Sequence, residues 1–300
     1  MGTVVRTHLP AECRDQVAAP LAQSLPSHAF FLVSALFHYL GPSFAVLLFS
    51  RVGVLGVAWL RIASAAAVFS LWRQPWRFFR RLNVSDQLTI ISLGVVLAAM
   101  NTIFYEAIDR LPLGTVGAIE FLGPIGLAVA GMRTARNFAA LALAAAGVFV
   151  LTDVRITGEP LGYLFAFANC ALFMLYVILG HRIASDGGTA GVDRLGAAML
   201  VAAAAALPLG IRQALPALAS LPLMGAAAGV GISSSVIPYV CDQLAMARLP
   251  RSTFALMLSL LPATATAVGV IVLHQVPTFI ELGGVTLVVA GVAIHRAASD

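Results

Sequence analysis

Apolar residues in this chain come in blocks of about twenty, separated by short connections rich in Arg, Gly and Pro. A helix of about twenty apolar residues crosses the ~30 Å hydrocarbon core of a bilayer. A β-barrel needs short segments of strict alternation, which the pattern lacks. The blocks predict ten spans: 27–49, 53–72, 88–108, 113–132, 137–153, 160–180, 190–210, 221–247, 252–272 and 279–296. Gly41-Pro42 and Arg61 are expected to interrupt the first two. Residues 1–26 are mixed and polar, with Pro10, Pro20 and Pro26. They contain no apolar core followed by a small-residue cleavage site, and read as a cytoplasmic N-terminal tail.

The pattern also repeats. Residues 101–131 hold two apolar arms around an Arg110-Leu111-Pro112 corner, and residues 239–269 are a degraded copy. Arg110, Leu111 and Pro112 fall on Arg248, Leu249 and Pro250; Thr115 falls on Thr253, Leu122 on Leu260, Pro124 on Pro262 and Gly131 on Gly269. Ala146-Gly147-Val148 likewise matches Ala290-Gly291-Val292. A duplicated unit of five spans, 27–153 and 160–296, has an odd number of crossings, so its copies run in opposite directions through the membrane. The expected fold is therefore an all-α polytopic membrane protein of ten transmembrane helices, arranged as two inverted five-helix repeats around a central cavity.

Composition agrees with a membrane solvent. Sixty per cent of residues are hydrophobic and 10% charged, against roughly 25% charged in soluble domains; mean hydropathy is +0.95. All 18 basic residues are arginine. A net charge of +5 raises nucleic-acid binding, but the arginines sit between apolar blocks, as topology signals do. Most, including Arg6, Arg14, Arg73, Arg77, Arg80 and Arg81, fall on the N-terminal side of the membrane. Arg51, Arg110, Arg155 and Arg212 fall on the other. Both termini are therefore expected in the cytoplasm. The Arg73–Arg81 cluster, interleaved with Trp72, Trp76, Phe78 and Phe79, reads as a headgroup anchor. Cys13, Cys170 and Cys241 make no disulfide framework or metal spacing, and His38, His181, His274 and His295 are dispersed. With no phosphate loop, nucleophile elbow or zinc helix, neither cofactor nor metal is expected, and the chain does not read as an enzyme.

Polar groups inside the spans carry the chemistry. A charge at the bilayer centre costs roughly 2.5–3.5 kcal/mol on insertion scales, so such residues face the bundle interior or a wet cavity. Glu120 lies on a stripe with Gly117, Pro124, Ala128 and Gly131. Pro124 frees the Glu120 carbonyl, and the small residues allow close approach. A protonatable carboxylate that couples proton movement to a substrate, or binds a substrate amine, is weighed against a buried neutral acid bonded to a neighbouring helix. Arg61 is the candidate counter-charge, to Glu120 or to a substrate carboxylate, with snorkelling as its bland reading. Asp242 shares a stripe with Ser235 and Tyr239 near the cytoplasmic end of its span, at the mouth of a cavity. Asn101 and Tyr105 share a face, where interhelical bonding and an interfacial aromatic belt are the alternatives. Pro262 lies on the matching stripe of span nine, where hydroxyls replace the acid. Pro124, Pro262, Gly117 and Gly131 are the hinge and packing candidates.

With these motifs the sequence resembles the drug/metabolite transporter superfamily in its EamA-type branch, over roughly residues 28–296. Within that branch it looks closest to the bacterial threonine/homoserine exporter group. The resemblance rests on Gly56–Arg61, Gln74–Arg77, Asn101–Tyr105, Pro112–Gly114, Ala118–Pro124, Ile237–Tyr239, Asp242 and Arg248–Pro250. It implies an exporter in the cytoplasmic membrane, moving small amino acids or related metabolites by proton exchange, with Arg61, Glu120 and Asp242 on charged positions of the pattern. Asp242 stands where Glu is usual, His274-Gln275 where Gly-Glu is frequent, and Glu106 where an apolar residue is expected. The partners implied are a small-molecule substrate, protons and membrane lipids, with no nucleic acid; glycine-rich faces suit internal packing or a homodimer. Other readings kept open are another metabolite or uptake, a lipid-modifying integral-membrane enzyme, and a non-transporting membrane scaffold.

Overall fold

A computed structural model describes residues 27–120, 122–123, 134–153, 159–184, 190–248 and 260–294. All regular structure among them is helical. The helices are α1 (Ser27–Val46), α2 (Phe49–Val52), α3 (Val54–Arg73), α4 (Trp76–Phe79), α5 (Val84–Arg110), α6 (Leu113–Glu120) and α7 (Ala135–Asp153). They continue as α8 (Pro160–Ala184), α9 (Ala190–Leu218), α10 (Leu221–Gly231), a π-turn (Ile232–Val236), α11 (Ile237–Met246), α12 (Leu260–Leu273) and α13 (Phe279–Ile294). Helices dominate because lipid offers nothing to backbone N–H and C=O groups, which must be satisfied within the segment.

Six helical stretches among the described residues are long and apolar enough to cross a membrane: Ala29–Val46, Val54–Arg73, Val84–Arg110, Pro160–Ala184, Ala190–Leu218 and Leu221–Met246. Ala135–Val150, Leu261–Leu273 and Phe279–Gly291 are shorter apolar helices. These overlap the fifth, ninth and tenth expected spans, and α6 begins the fourth. The tail 1–26, Pro124 and Gly131 lie outside the described residues.

The helix ends follow local chemistry. Asn83 caps α5 by accepting from the Asp86 amide at 2.8 Å. Thr278 and Glu281 form a reciprocal box at the start of α13: the Thr278 amide donates to Glu281 Oε2 at 2.8 Å and the Glu281 amide to Thr278 Oγ1 at 3.2 Å. Between α2 and α3 the chain turns at Gly53, whose φ of 80° suits glycine. Gln213 of α9 reaches back to accept from the Leu55 and Gly56 amides.

Two sequence expectations are corrected. Neither Gly41-Pro42 nor Arg61 interrupts its helix: α1 runs on to Val46 and α3 to Arg73. A proline removes one backbone bond, which a membrane bundle tolerates, and an inward-facing arginine leaves the helix backbone intact. For the same reason α9 passes Pro208 and Pro216 to reach Leu218, beyond the expected end at 210.

The packing is pairwise. α3 lies along α9, α7 along α13, and α6 against α12. α5 packs on α8, and α11 with the π-turn packs on α1. α5 also touches α9, while α10 and the π-turn touch α3. Tyr39, Phe69, Leu93, Tyr105, Tyr176 and Tyr239 fill the middle of the bundle. Leu71, Phe149, Leu164 and Ile271 point outward, as lipid-facing residues do. Gly41 marks the closest approach of α1 to the π-turn, where a Cβ would sit 2.3 Å from Ser234 Cβ.

Candidate functional site

Arg61 lies at the centre of the bundle, only 3% exposed. Its Nε donates to Ser235 Oγ at 2.7 Å and its Nη2 to the Ser234 carbonyl at 2.5 Å. That carbonyl is available for a local reason. Pro238 stands four residues on and has no N–H to return to it, and the π-turn loosens the same stretch. Tyr105 and Tyr239 present their rings to the guanidinium, with centroids 5.3 and 6.0 Å from Cζ. A cation over aromatic faces is stabilised by their quadrupoles. Tyr105 is fully buried, which overturns its reading as part of an interfacial belt.

Glu120, 2% exposed, has both oxygens engaged. Tyr39 Oη donates to Oε2 at 3.0 Å, and Asn169 Nδ2 donates to Oε1 at 2.9 Å. Gly117, one turn away, admits Tyr39 and α12: a Cβ there would meet Ala265 Cβ at 2.8 Å and Tyr39 Oη at 3.1 Å. Arg61 and Glu120 line one cavity with His38, Asn101, Asn169 and Tyr239, but they form no ion pair with each other. Glu120 is held by α1 and α8, Arg61 by the π-turn. Asn101 donates to the Leu97 carbonyl at 2.7 Å and accepts from Tyr239 Oη at 3.3 Å. The space enclosed is about 10 Å³, near the minimum for a single water.

Asp242 is 6% exposed, so it is sealed within the bundle instead of standing at an open mouth. Ser34 Oγ donates to its Oδ1 at 2.5 Å and Tyr176 Oη to its Oδ2 at 3.2 Å. It borders a different small cavity, with His38, Phe173 and Met246. The structure thus gathers Arg61, Asn101, Glu120, Tyr239, Tyr105 and Ser235 around one centre and puts Asp242 at a second. Tyr39, Asn169, Ser34 and Tyr176, which complete both centres, are absent from the sequence candidates. Asn169, Phe173 and Tyr176 recur at helical spacing within span six, and a polar Asn on such a stripe was the available signal.

A cleft of about 350 Å³ opens at one end of the bundle, bordered by Arg110, Thr115, Thr266, Gln275 and Glu281. Glu106 takes no part in the buried centre; its Oε2 pairs with Arg110 Nη1 at 2.6 Å. Gln275 accepts from the Leu113 amide at 3.1 Å, capping α6, the helix that carries Glu120. His274 has φ 54°, a left-handed conformation natural to glycine. Pro262, where α12 starts, is buried, and its carbonyl accepts from Thr266 Oγ1 at 3.0 Å. At the opposite end Arg73 is paired with Asp193, and Arg194 approaches Asp86 at 4.0 Å.

A bundle of apolar helices with hydrogen-bonded acids and an arginine sealed around a central cavity is the construction of a membrane transporter. The comparisons agree: the chain belongs to the EamA-like transporter family, whose model matches residues 160–296. The threonine/homoserine exporter RhtA of Escherichia coli K12 is 33% identical over 257 residues, covering 83% of this chain and 84% of that protein. RhtA of Salmonella typhimurium LT2 is 31% identical over the same span. A crystal structure of a protein 18% identical superposes with a TM-score of 0.56, covering 89% of this chain and 96% of that one. That likeness shows a shared fold.

Proposed function

We propose that this transporter exports small amino acids of the threonine/homoserine kind across the cytoplasmic membrane in exchange for protons. The observation that carries the reading is the separation of opposite charges on one cavity wall. Arg61 and Glu120 both face the cavity and neither neutralises the other. A zwitterionic amino acid fits that arrangement, its carboxylate toward Arg61 and its ammonium toward Glu120. A proton arriving on Glu120 removes the attraction for the ammonium and releases the substrate, so the two cargoes exclude each other. The names of the relatives, threonine/homoserine exporters, support this class of cargo.

The architecture proposed is two inverted five-helix units, 27–153 and 160–296, with both termini in the cytoplasm. The helix pairing supports it. Exchanging the halves maps α3–α9, α7–α13 and α6–α12 each onto itself, and α5–α8 onto α11–α1. The 350 Å³ cleft, bordered by the α5–α6 and α12–α13 connections, then faces outward. The central space, about 10 Å³, is far too small for an amino acid, so this conformation is occluded. Rocking of one half against the other admits substrate from the cytoplasm and releases it through the cleft. Trp72 and Trp76 are exposed beside Arg73 and suit the lipid headgroup layer.

The test is export from cells fed dipeptides that release threonine, homoserine or other small amino acids. Cells with the wild-type chain should clear threonine or homoserine faster than cells without it. Glu120→Gln and collapse of the proton gradient should each remove the difference. Equal efflux across the panel, with the protein present in the membrane, removes the amino-acid assignment.

A further inference from the structure

His38 lies where the two buried centres meet. On one side it lines the cavity of Arg61, Asn101, Glu120, Asn169 and Tyr239. On the other it lines the cavity of Ser34, Phe173, Tyr176 and Asp242. Among the described residues it is the one that borders both. Its ring is held edge-on between Tyr39, at a centroid distance of 5.3 Å, and Phe173, at 6.1 Å. The neighbours on its own helix are the ligands of the two acids: Tyr39 bonds Glu120, and Ser34, one turn back, bonds Asp242. α1 therefore carries, within six positions, a contact to each carboxylate and an imidazole between them.

We propose that His38 passes protons between Glu120 and Asp242, making a path from the central cavity toward the cytoplasmic side of the bundle. The proposal rests on the proton-exchange reading above. Each cavity measures about 10 Å³, of the order needed for one bridging water. A proton on Glu120 is handed to the first water as the O–H bond breaks, and that water gives a proton to one ring nitrogen. The N–H bond at the other nitrogen breaks, and its proton passes through the second water to the Asp242 carboxylate. One proton enters and one leaves, so the imidazole ends neutral in its other tautomer and resets by rotating about its side-chain torsions. Histidine suits the task because its unperturbed proton affinity lies near neutrality.

Charged and hydroxyl groups from several helices face the ring. The charged groups that line the two cavities with the ring are Arg61 from α3, Glu120 from α6 and Asp242 from α11. Tyr39 on the same helix, Tyr176 from α8 and Tyr239 from α11 supply hydroxyls and rings around the path.

The test uses the full chain reconstituted in vesicles containing a pH-sensitive dye. Three rates are read: exchange of labelled for unlabelled threonine, proton flux driven by a threonine gradient, and threonine accumulation driven by a pH gradient. Wild type is expected to show all three. His38→Gln and His38→Asn are expected to lower proton flux relative to exchange on the order of tenfold or more. Imidazole added to His38→Gly is expected to restore part of the flux, which a merely structural role would not allow. Proton flux in either variant equal to wild type overturns the relay. So does loss of exchange and flux together in both variants when they are folded and monodisperse, because that marks a packing role. Wild-type exchange without any proton flux overturns the proton-exchange reading itself, and the relay with it.

Discussion

Glu120 and Asp242 are held in the same way and placed to do different things. Each buried carboxylate receives one hydroxyl from α1 and one group from α8: Tyr39 and Asn169 for Glu120, Ser34 and Tyr176 for Asp242. The difference lies across the cavity. Glu120 shares its space with Arg61, Asn101 and Tyr239, whereas Asp242 shares its space mainly with apolar and aromatic residues. An acid opposite a cation can read both ends of a zwitterion. An acid among apolar groups can take up a proton but has no counter-charge with which to orient a substrate. Burial alone therefore does not assign a role; the neighbour across the gap does.

The largest expected effect breaks this comparison at its centre. Glu120→Gln should weaken threonine binding at least about tenfold, about 1.4 kcal/mol, because the ammonium loses its partner. Asp242→Asn should leave the half-saturation of exchange close to wild type while proton-driven accumulation falls. Exchange titrations on both variants in vesicles separate the two, and equal loss of affinity would show that both acids touch the substrate. Arg61→Met should follow Glu120→Gln in affinity and add a stability loss. It leaves the buried Ser234 carbonyl and Ser235 hydroxyl without their donor, which costs roughly 1–3 kcal/mol per group. A thermal melt in detergent should show the fall for Arg61→Met and a smaller change for Asp242→Asn, where the amide still accepts from Ser34 or Tyr176.

Charged members of these centres were legible in the sequence, and their uncharged partners were not. Glu120 and Arg61 stand out because a charge inside an apolar block is expensive and must face inward. Tyr39, Ser34 and Tyr176 carry no such penalty, and one sequence does not say which hydroxyl among several meets which acid. His38 looked isolated for a related reason: its neighbours come from α3, α6, α8 and α11, all distant in the chain. The helical class and the six membrane-length helices among the described residues followed from apolar block length. The continuity of α1 through Pro42 did not, because the compensation for a lost backbone bond comes from tertiary packing. Pro238 is instructive in the opposite direction. The rule that a proline frees the carbonyl four residues earlier, applied in the sequence to Pro124 and Glu120, also predicts an open Ser234 carbonyl. The structure fills it with Arg61.

A milder pair of substitutions tests the hydroxyls. Tyr39→Phe and Ser34→Ala each remove one hydrogen bond to a buried acid, worth roughly 0.5–1.5 kcal/mol. Because Tyr39 also sits against Gly117 and the Ser34 hydroxyl shares its one proton between Asp242 and the Pro238 carbonyl 3.2 Å away, both should lower the melting temperature modestly. Only Tyr39→Phe should also alter threonine affinity, since only its acid faces Arg61.

The smallest addition, a single methyl group, compares packing on the two sides. At Gly117 a methyl group would lie 2.8 Å from Ala265 Cβ and 3.1 Å from Tyr39 Oη. Two helices and the Glu120 ligand would have to shift, and overpacking of this kind costs roughly 1–3 kcal/mol. At Gly180, in the α8 stretch facing Gln243 and Met246, a methyl would meet nothing closer than Gln243 Nε2 at 3.5 Å, an ordinary contact. Gly117→Ala should therefore lower both the melting temperature and proton-coupled export, while Gly180→Ala should leave both near wild type. If Gly117→Ala melts lower but exports normally, the glycine serves packing alone. If export falls with little change in melting, the small residue is there for Tyr39 and Glu120, and the close approach at Gly117 belongs to the mechanism.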